Sequence, residues 1–196
     1  MHSFLLFVLV LVSGGESLSG TPDAVVRTLY AHIVRARPLG IPTGDDRAAL
    51  WPLLTGRLIR VLETADRCEQ DYFRQHPQTD SKPEFGWLEG GLFSGPDEMA
   101  LPSDVRIVRT DTVARERYRV LVQFTYRESF ETYGRPPNPA NTFRWRGEVM
   151  VEGHNGRFRV DDFRRLDERS GKRLQALSRS FLGCRGSQWV GYRDDR

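Results

Sequence analysis

Apolar residues along this chain follow two different rhythms. From Thr21 onwards, Val25, Val26, Leu29, Tyr30 and Ile33 recur at helical spacing. They stand behind a threonine cap, a proline at the first helical position and an acid facing the positive helix end, in Thr21-Pro22-Asp23. The spacing predicts an amphipathic helix that stops before Arg37-Pro38-Leu39-Gly40. A short helical turn over Asp45 to Leu50 precedes Pro52, and a longer helix starts at the Thr55 cap. Its apolar face reads Leu58, Val61, Leu62, Ala65, Cys68, Tyr72 and Phe73, and His76-Pro77 ends it. Residues 77–104 lose the rhythm. Glycine and proline punctuate a stretch holding Phe85, Trp87, Leu92 and Phe93, which predicts a long ordered loop over one end of a core.

The period then drops to two. Val105, Ile107 and Val108 predict a first strand; Tyr118, Val120, Val122, Phe124 and Tyr126 a second; Phe143, Trp145, Gly147, Val149 and Val151 a third. Phe158 and Val160 open a fourth that ends near Leu166. Asn155-Gly156 predicts a tight type I′ hairpin, whereas Glu131 to Thr142, rich in proline and asparagine, predicts a longer hairpin loop. Leu174, Leu177, Phe181 and Leu182 predict an amphipathic C-terminal helix over Gly171 to Leu182, stopped by Gly183. Helices first and alternating strands afterwards imply an α+β fold. N-terminal helices pack on a curved antiparallel sheet of about four strands, with a C-terminal helix. The length of 196 residues suits a single domain over 21–184 with a tail over 185–196.

The N-terminus shows a different pattern. Phe4 to Val12 is nine consecutive apolar residues, followed by Ser13-Gly14-Gly15-Glu16-Ser17-Leu18-Ser19-Gly20. A short apolar core before a zone of small residues is the layout of a signal peptide over 1–19, cleaved after Ser17 or Ser19. Its leading residues include His2 but neither lysine nor arginine, and a buried N-terminal strand or helix is the competing reading. Nine helical residues span only about 13–14 Å, under half the hydrocarbon thickness, so no stable span remains after cleavage. Periplasmic or secreted location follows. In that setting Cys68 and Cys184 are expected to form a disulfide, the alternative being two buried free thiols.

Pro22-Asp23-Ala24-Val25-Val26-Arg27-x-x-Tyr30, Leu53-Leu54-Thr55, Leu92-Phe93-Ser94-Gly95-Pro96 and Phe158-Arg159-Val160-Asp161-Asp162-Phe163 follow one another in order across residues 22–182. In that order and spacing the chain resembles a family of exported bacterial proteins built on a domain of unknown function. The family has the nuclear-transport-factor-2-like (ketosteroid-isomerase-like, cystatin-like) fold. The resemblance implies that fold and an exported location, and implies no activity.

Charge adds little at the level of the whole chain. The net charge is +3, and 27 of the 29 basic side chains are arginines, nearly balanced by carboxylates, which argues against nucleic acid as a partner. Phosphate-loop, zinc-protease, nucleophile-elbow and EF-hand motifs are missing, and His32, His76 and His154 are scattered, so no metal site and no cofactor is expected. Two constellations stand out. Asp162, on the inward phase of the fourth strand, is a candidate general base in the cone of the sheet. The resemblance to ketosteroid-isomerase-like enzymes, in which an acidic base and aromatic hydroxyls line such a pocket, implies Tyr126 and Trp145 as its candidate ligand-binding neighbours. The competing reading is a structural carboxylate that pairs with an arginine, caps backbone amides or is turned outward by a bulge. Arg117, Arg119, Arg144, Arg146, Arg157 and Arg159 share the face opposite the apolar set. They form either a basic patch for anionic lipid, glycan or protein, or a salt-bridged surface with Glu116, Glu148, Glu152 and Asp161. The chain therefore reads as an exported envelope protein that acts as a non-enzymatic binding module for a protein or small-molecule partner. A cofactor-free isomerase, lyase or hydrolase-like enzyme using Asp162 is the alternative, and an envelope inhibitor or immunity-type protein is a further one.

Overall fold

In the computed structural model, residues 20–78, 91–94, 101–127, 138, 140–181 and 183–191 are described. Helix α1 (Pro22–Ala36) begins where Thr21 accepts a hydrogen bond from Ala24 N at 3.2 Å, a cap worth about 1 kcal/mol. It buries Val25, Val26, Leu29, Tyr30 and Ile33, the stripe read from the sequence. Helix α2 (Gly44–Leu50) runs into a 3₁₀ turn at Trp51–Leu53. Helix α3 (Gly56–Gln75) starts at Thr55, whose hydroxyl accepts from Leu58 N at 3.2 Å.

The sheet is a meander in the order β1-β2-β3-β4-β5. Its strands are β1 (Asp104–Ala114), β2 (Arg117–Arg127), β3 (Thr142–His154), β4 (Arg157–Leu166) and β5 (Arg173–Ala176), all antiparallel to their neighbours. Asn155 and Gly156, both with positive φ, close the β3–β4 hairpin as expected. Extra residues at Val108 and Val113 in β1 and at Asp161 in β4 interrupt the ladders, and such bulges bend a sheet. The helices cover one face. Thr55 N donates to Val160 O at 2.8 Å, which ties the start of α3 to β4. The α+β class, with helices first and a curved sheet after, is therefore the observed one.

The core lies between that face and the helices. Trp145, Phe93 and Phe124 are its largest fully buried side chains. Phe124 stacks on Trp145 at 5.2 Å between centroids and meets Tyr30 and Phe163 edge-on at 5.3 and 6.0 Å. Gly147 is required beneath this cluster, because a Cβ there would stand 2.5 Å from the Phe163 ring.

Four expectations need correction. The helix expected over 171–182 does not form: Arg173–Ala176 is strand β5 and Leu177–Arg179 a 3₁₀ turn. The turn after β4, with Gly171 N bonded to Asp167 O and Asp167 N to Lys172 O at 2.8 Å each, folds the chain back onto the free edge of β4. Pairing those edge amides outweighs a modest helical preference, so there are five strands in the sheet and Leu174 is exposed. The expected tail is partly ordered. Strands β6 (Cys184–Arg185) and β7 (Gln188–Trp189) form a hairpin against α3, where Trp189 N donates to Asp71 Oδ2 at 2.8 Å. That hairpin buries Asp71, whereas Phe73, expected on the inner face, is exposed. Cys68 and Cys184 are disulfide-bonded as expected, with Cα atoms 6.1 Å apart, and the bridge staples this hairpin to α3. The segment 1–19, Phe85, Trp87 and Leu182 lie outside the described residues, as does most of the 131–142 loop. Leu92 and Phe93 are buried, and Tyr30 Oη donates to Phe93 O at 2.9 Å.

Candidate functional site

Asp162 does not face the cone. Asp161 is the extra residue of the β4 bulge, so Asp162 stands opposite Met150 and Phe163 opposite Val149. The alternation slips by one, and Phe163 takes the core-facing place that strict period-two counting assigns to Asp162. Asp162 is buried instead under the 3₁₀ turn after β5. Its Oδ1 accepts from Phe163 N at 2.9 Å and Ser178 N at 3.1 Å, and its Oδ2 from Ser178 Oγ at 2.6 Å. Arg57 lies 3.6 Å away. A carboxylate held by three donors joins two segments of backbone. Asp161 is equally occupied: Thr55 Oγ1 donates to it at 2.7 Å, and Arg57 through Nε at 2.9 Å and Nη2 at 2.8 Å. Those bonds hold the Arg57 guanidinium still more firmly in its charged form.

Tyr126 and Trp145 fall in one aromatic cluster, joined through Phe143, whose ring centroid is 5.1 Å from each. Trp145 is buried and donates from Nε1 to Ser94 O at 2.8 Å. Asp162 is opposite a residue five positions further along β3, about 16 Å away at the usual strand rise. The three candidates therefore do not converge on one pocket. Burial pushes the Tyr30 phenol well above its ordinary pKa, which keeps it a neutral donor in the aromatic interior.

The six arginines do share the outer face, and the register resolves them into rows. Arg117 and Arg159 flank Glu152; Arg119 pairs across with Met150; Gln123 faces Arg146 and Thr125 faces Arg144. Neutralisation is uneven along this face. Arg117 meets Glu152 at 2.8 Å, and Arg119 approaches Glu148 at 3.8 Å. Glu148, buried in the middle of the face, also takes both Nε and Nη2 of Arg173, at 2.7 and 3.2 Å. Among the described residues Arg144, Arg146, Arg157 and Arg159 have no carboxylate partner. Arg106 extends the first pair, bonding to Gln123 beside Arg146 at 3.2 Å.

Two clefts accompany the unpaired arginines. One, of about 640 Å³, is lined by Thr55, Gly56, Glu152, His154, Arg157 and Arg159 among others. The other, of about 400 Å³, lies between Gln123, Arg144, Trp145 and Arg146 and the turn carrying Leu166, Asp167, Glu168 and Gly171. This second cleft exists because β3, with 13 residues, outruns β4, with 10, after a tight turn. The β3–β4 ladder ends at Gly147 opposite Arg165, while the β2–β3 ladder continues to Thr142. The alternation gave no sign of this edge, because the third and fourth strands read from it, over 143–151 and 158–166, are of equal length.

The histidines stay apart. His32 Nε2 meets Asp46 Oδ1 at 2.6 Å, and His76 Nδ1 donates to Tyr72 O at 2.9 Å. Among the described residues no group of three or more His, Cys, Asp or Glu is placed to hold a metal ion, and no helix is long and apolar enough to cross a membrane.

No family model and no curated protein matches this chain. Among solved structures, a similarity is found to AclR, a candidate hydroxylase from Streptomyces galilaeus, at 8% identity and a TM-score of 0.31 over 71% of each chain. A likeness of that degree carries no argument about activity.

Proposed function

We propose that the protein is an exported, non-enzymatic binding module of the nuclear-transport-factor-2-like kind, which captures an anionic partner on the outer face of its sheet. The single observation that carries this reading is the segregation of charge on that face. Arg117, Arg119 and Arg173 are engaged by Glu148 and Glu152, whereas Arg144 and Arg146 stand without carboxylate partners among the described residues. Arginine in that state presents a planar fork of donors suited to carboxylates, sulfates and phosphates. A rigid sheet whose reverse side is filled by Phe124, Trp145 and Phe163 holds it in place. Two features favour export: the apolar run Phe4–Val12 and the Cys68–Cys184 bridge, a linkage that persists in oxidising compartments.

The test is a paired capture experiment from envelope extract with wild-type protein and the double variant R144E/R146E. The partner should be lost from the variant, be released from the wild type by raised salt, and leave the variant's thermal unfolding unchanged. Equal capture by both proteins defeats the reading.

A further inference from the structure

Among the described residues, β1 and the far end of β3 both show an edge without a partner strand, and the two are built differently. Strand β1, at the rim, is interrupted by bulges at Val108 and Val113 and studded with Arg106, Arg109 and Asp111, devices that discourage another strand from pairing. The edge of β3 over Phe143–Arg146 carries charge too, at Arg144 and Arg146, but no bulge interrupts it. Those four residues pair with β2 on one side without a register shift, and among the described residues no strand pairs with them on the other. The edge is about 13 Å long at the usual strand rise. Beside it lies the cleft of about 400 Å³, lined by Arg144, Trp145 and Arg146, with the turn at Leu166–Gly171 as its far wall. Along any antiparallel strand, alternate residues direct N–H and C=O to each side.

The side chains around this edge define what fits. On the outer face Arg144 and Arg146 flank the gap at every-other-residue spacing. On the opposite face Phe143 is 40% exposed, a large ring at the end of the aromatic cluster. Asp167 on the far wall is turned into its own loop, accepting from Ser170 N and Oγ at 2.7 and 2.6 Å, and that engagement holds its carboxyl below the usual range. Glu168 adds a negative group beside it, which disfavours a uniform polyanion.

The geometry points to an extended peptide segment of a partner protein as the occupant, adding a short strand to the open edge of β3. Its carboxylates, at alternate positions, meet Arg144 and Arg146, and the apolar residue between them lies toward Phe143. This deepens, and rests on, the binding-module reading above. Main-chain hydrogen bonds supply affinity and the alternating side chains supply selectivity, as in strand addition generally.

The experiment uses the terminally blocked peptide Thr-Asp-Val-Asp-Val-Thr, measured by calorimetry against the full protein. Two N-methylated isomers, each methylated on one set of alternate amides, and heparin serve as comparisons. The parent peptide should bind. One isomer, the one whose methyl groups fall on the edge facing β3, should bind at least tenfold more weakly, and the other should bind as the parent does. R144Q/R146Q should lose at least tenfold with unchanged circular dichroism. If both isomers bind like the parent, or if heparin binds and the peptide does not, strand addition is wrong while the basic-face reading stands. If neither peptide nor heparin binds, both fall. A concentration-dependent dimer that the R144Q/R146Q change dissolves would make a second copy the occupant and overturn the proposal.

Discussion

Ser178 donates to both oxygens of the Asp162 carboxylate, from its N–H at 3.1 Å and from its hydroxyl at 2.6 Å. The contact fastens the turn after β5 to a strand whose alternation has been shifted by a bulge. Removing the carboxylate leaves the N–H groups of Phe163 and Ser178 without their acceptor in a buried place, and each such loss costs about 1–3 kcal/mol. D162A is therefore expected to lower the unfolding free energy by about 3 kcal/mol in urea titrations, and S178A by about 1–2 kcal/mol. A D162A protein as stable as wild type would show that this cap is not a structural element.

Gly147 faces Phe163 so closely that a single added carbon collides with the ring. G147A should destabilise the protein by about 1–3 kcal/mol through overpacking. Combining it with F163L should recover part of the loss, since the shorter side chain vacates the space. Thermal melts of the two single variants and the double variant measure this coupling directly; strictly additive effects would contradict the contact.

The bridge between Cys68 and Cys184 spans a sequence separation of 116 residues. In the chain-entropy account such a cross-link stabilises by about 4–5 kcal/mol. C68A/C184A should unfold at markedly lower denaturant, with the hairpin Cys184–Trp189 losing amide-exchange protection before the sheet does. Simultaneous loss of protection in hairpin and sheet would argue against the staple.

Acid should release that hairpin. The Asp71 carboxyl is held below its ordinary pKa, first by its bond from Arg74 and next by the Trp189 N–H, both of which favour the charged form. A carboxyl with a depressed folded pKa contributes stability that is fully present above the unfolded-state value and fades as pH falls through the folded one. Docking of Trp189 should thus persist at neutral and mildly acidic pH and weaken only below the usual aspartate range of about 4. The Trp189 amide resonance, followed from pH 7 to 2, reports it. In D71N the acid-dependent loss should vanish, and an unchanged titration in that variant would assign it elsewhere.

Legibility in the sequence differed by element for physical reasons. The stripe of α1 and the caps at Thr21 and Thr55 rest on neighbours three and four residues apart, so spacing alone exposes them. The alternation of β2, β3 and the first residues of β4 is equally local, and it carried the six arginines to one face. Asp162 was misplaced because one extra residue, Asp161, inverts every later position in the strand, and nothing in Arg159-Val160-Asp161-Asp162 marks the bulge. Leu174 and Leu177 fit a helical stripe, yet the vacant edge of β4 decided the matter.

Local periodicity by itself determined the order of elements, the α+β class, the buried faces of the first helices and the common side of the arginines, because each depends on residues close in the chain. Tertiary structure decided which arginines meet a carboxylate among the described residues, where the alternation slips and where the β3–β4 ladder stops short of the β2–β3 one. Those outcomes depend on how far one ladder outruns its neighbour and on which distant carboxylate arrives beside which guanidinium.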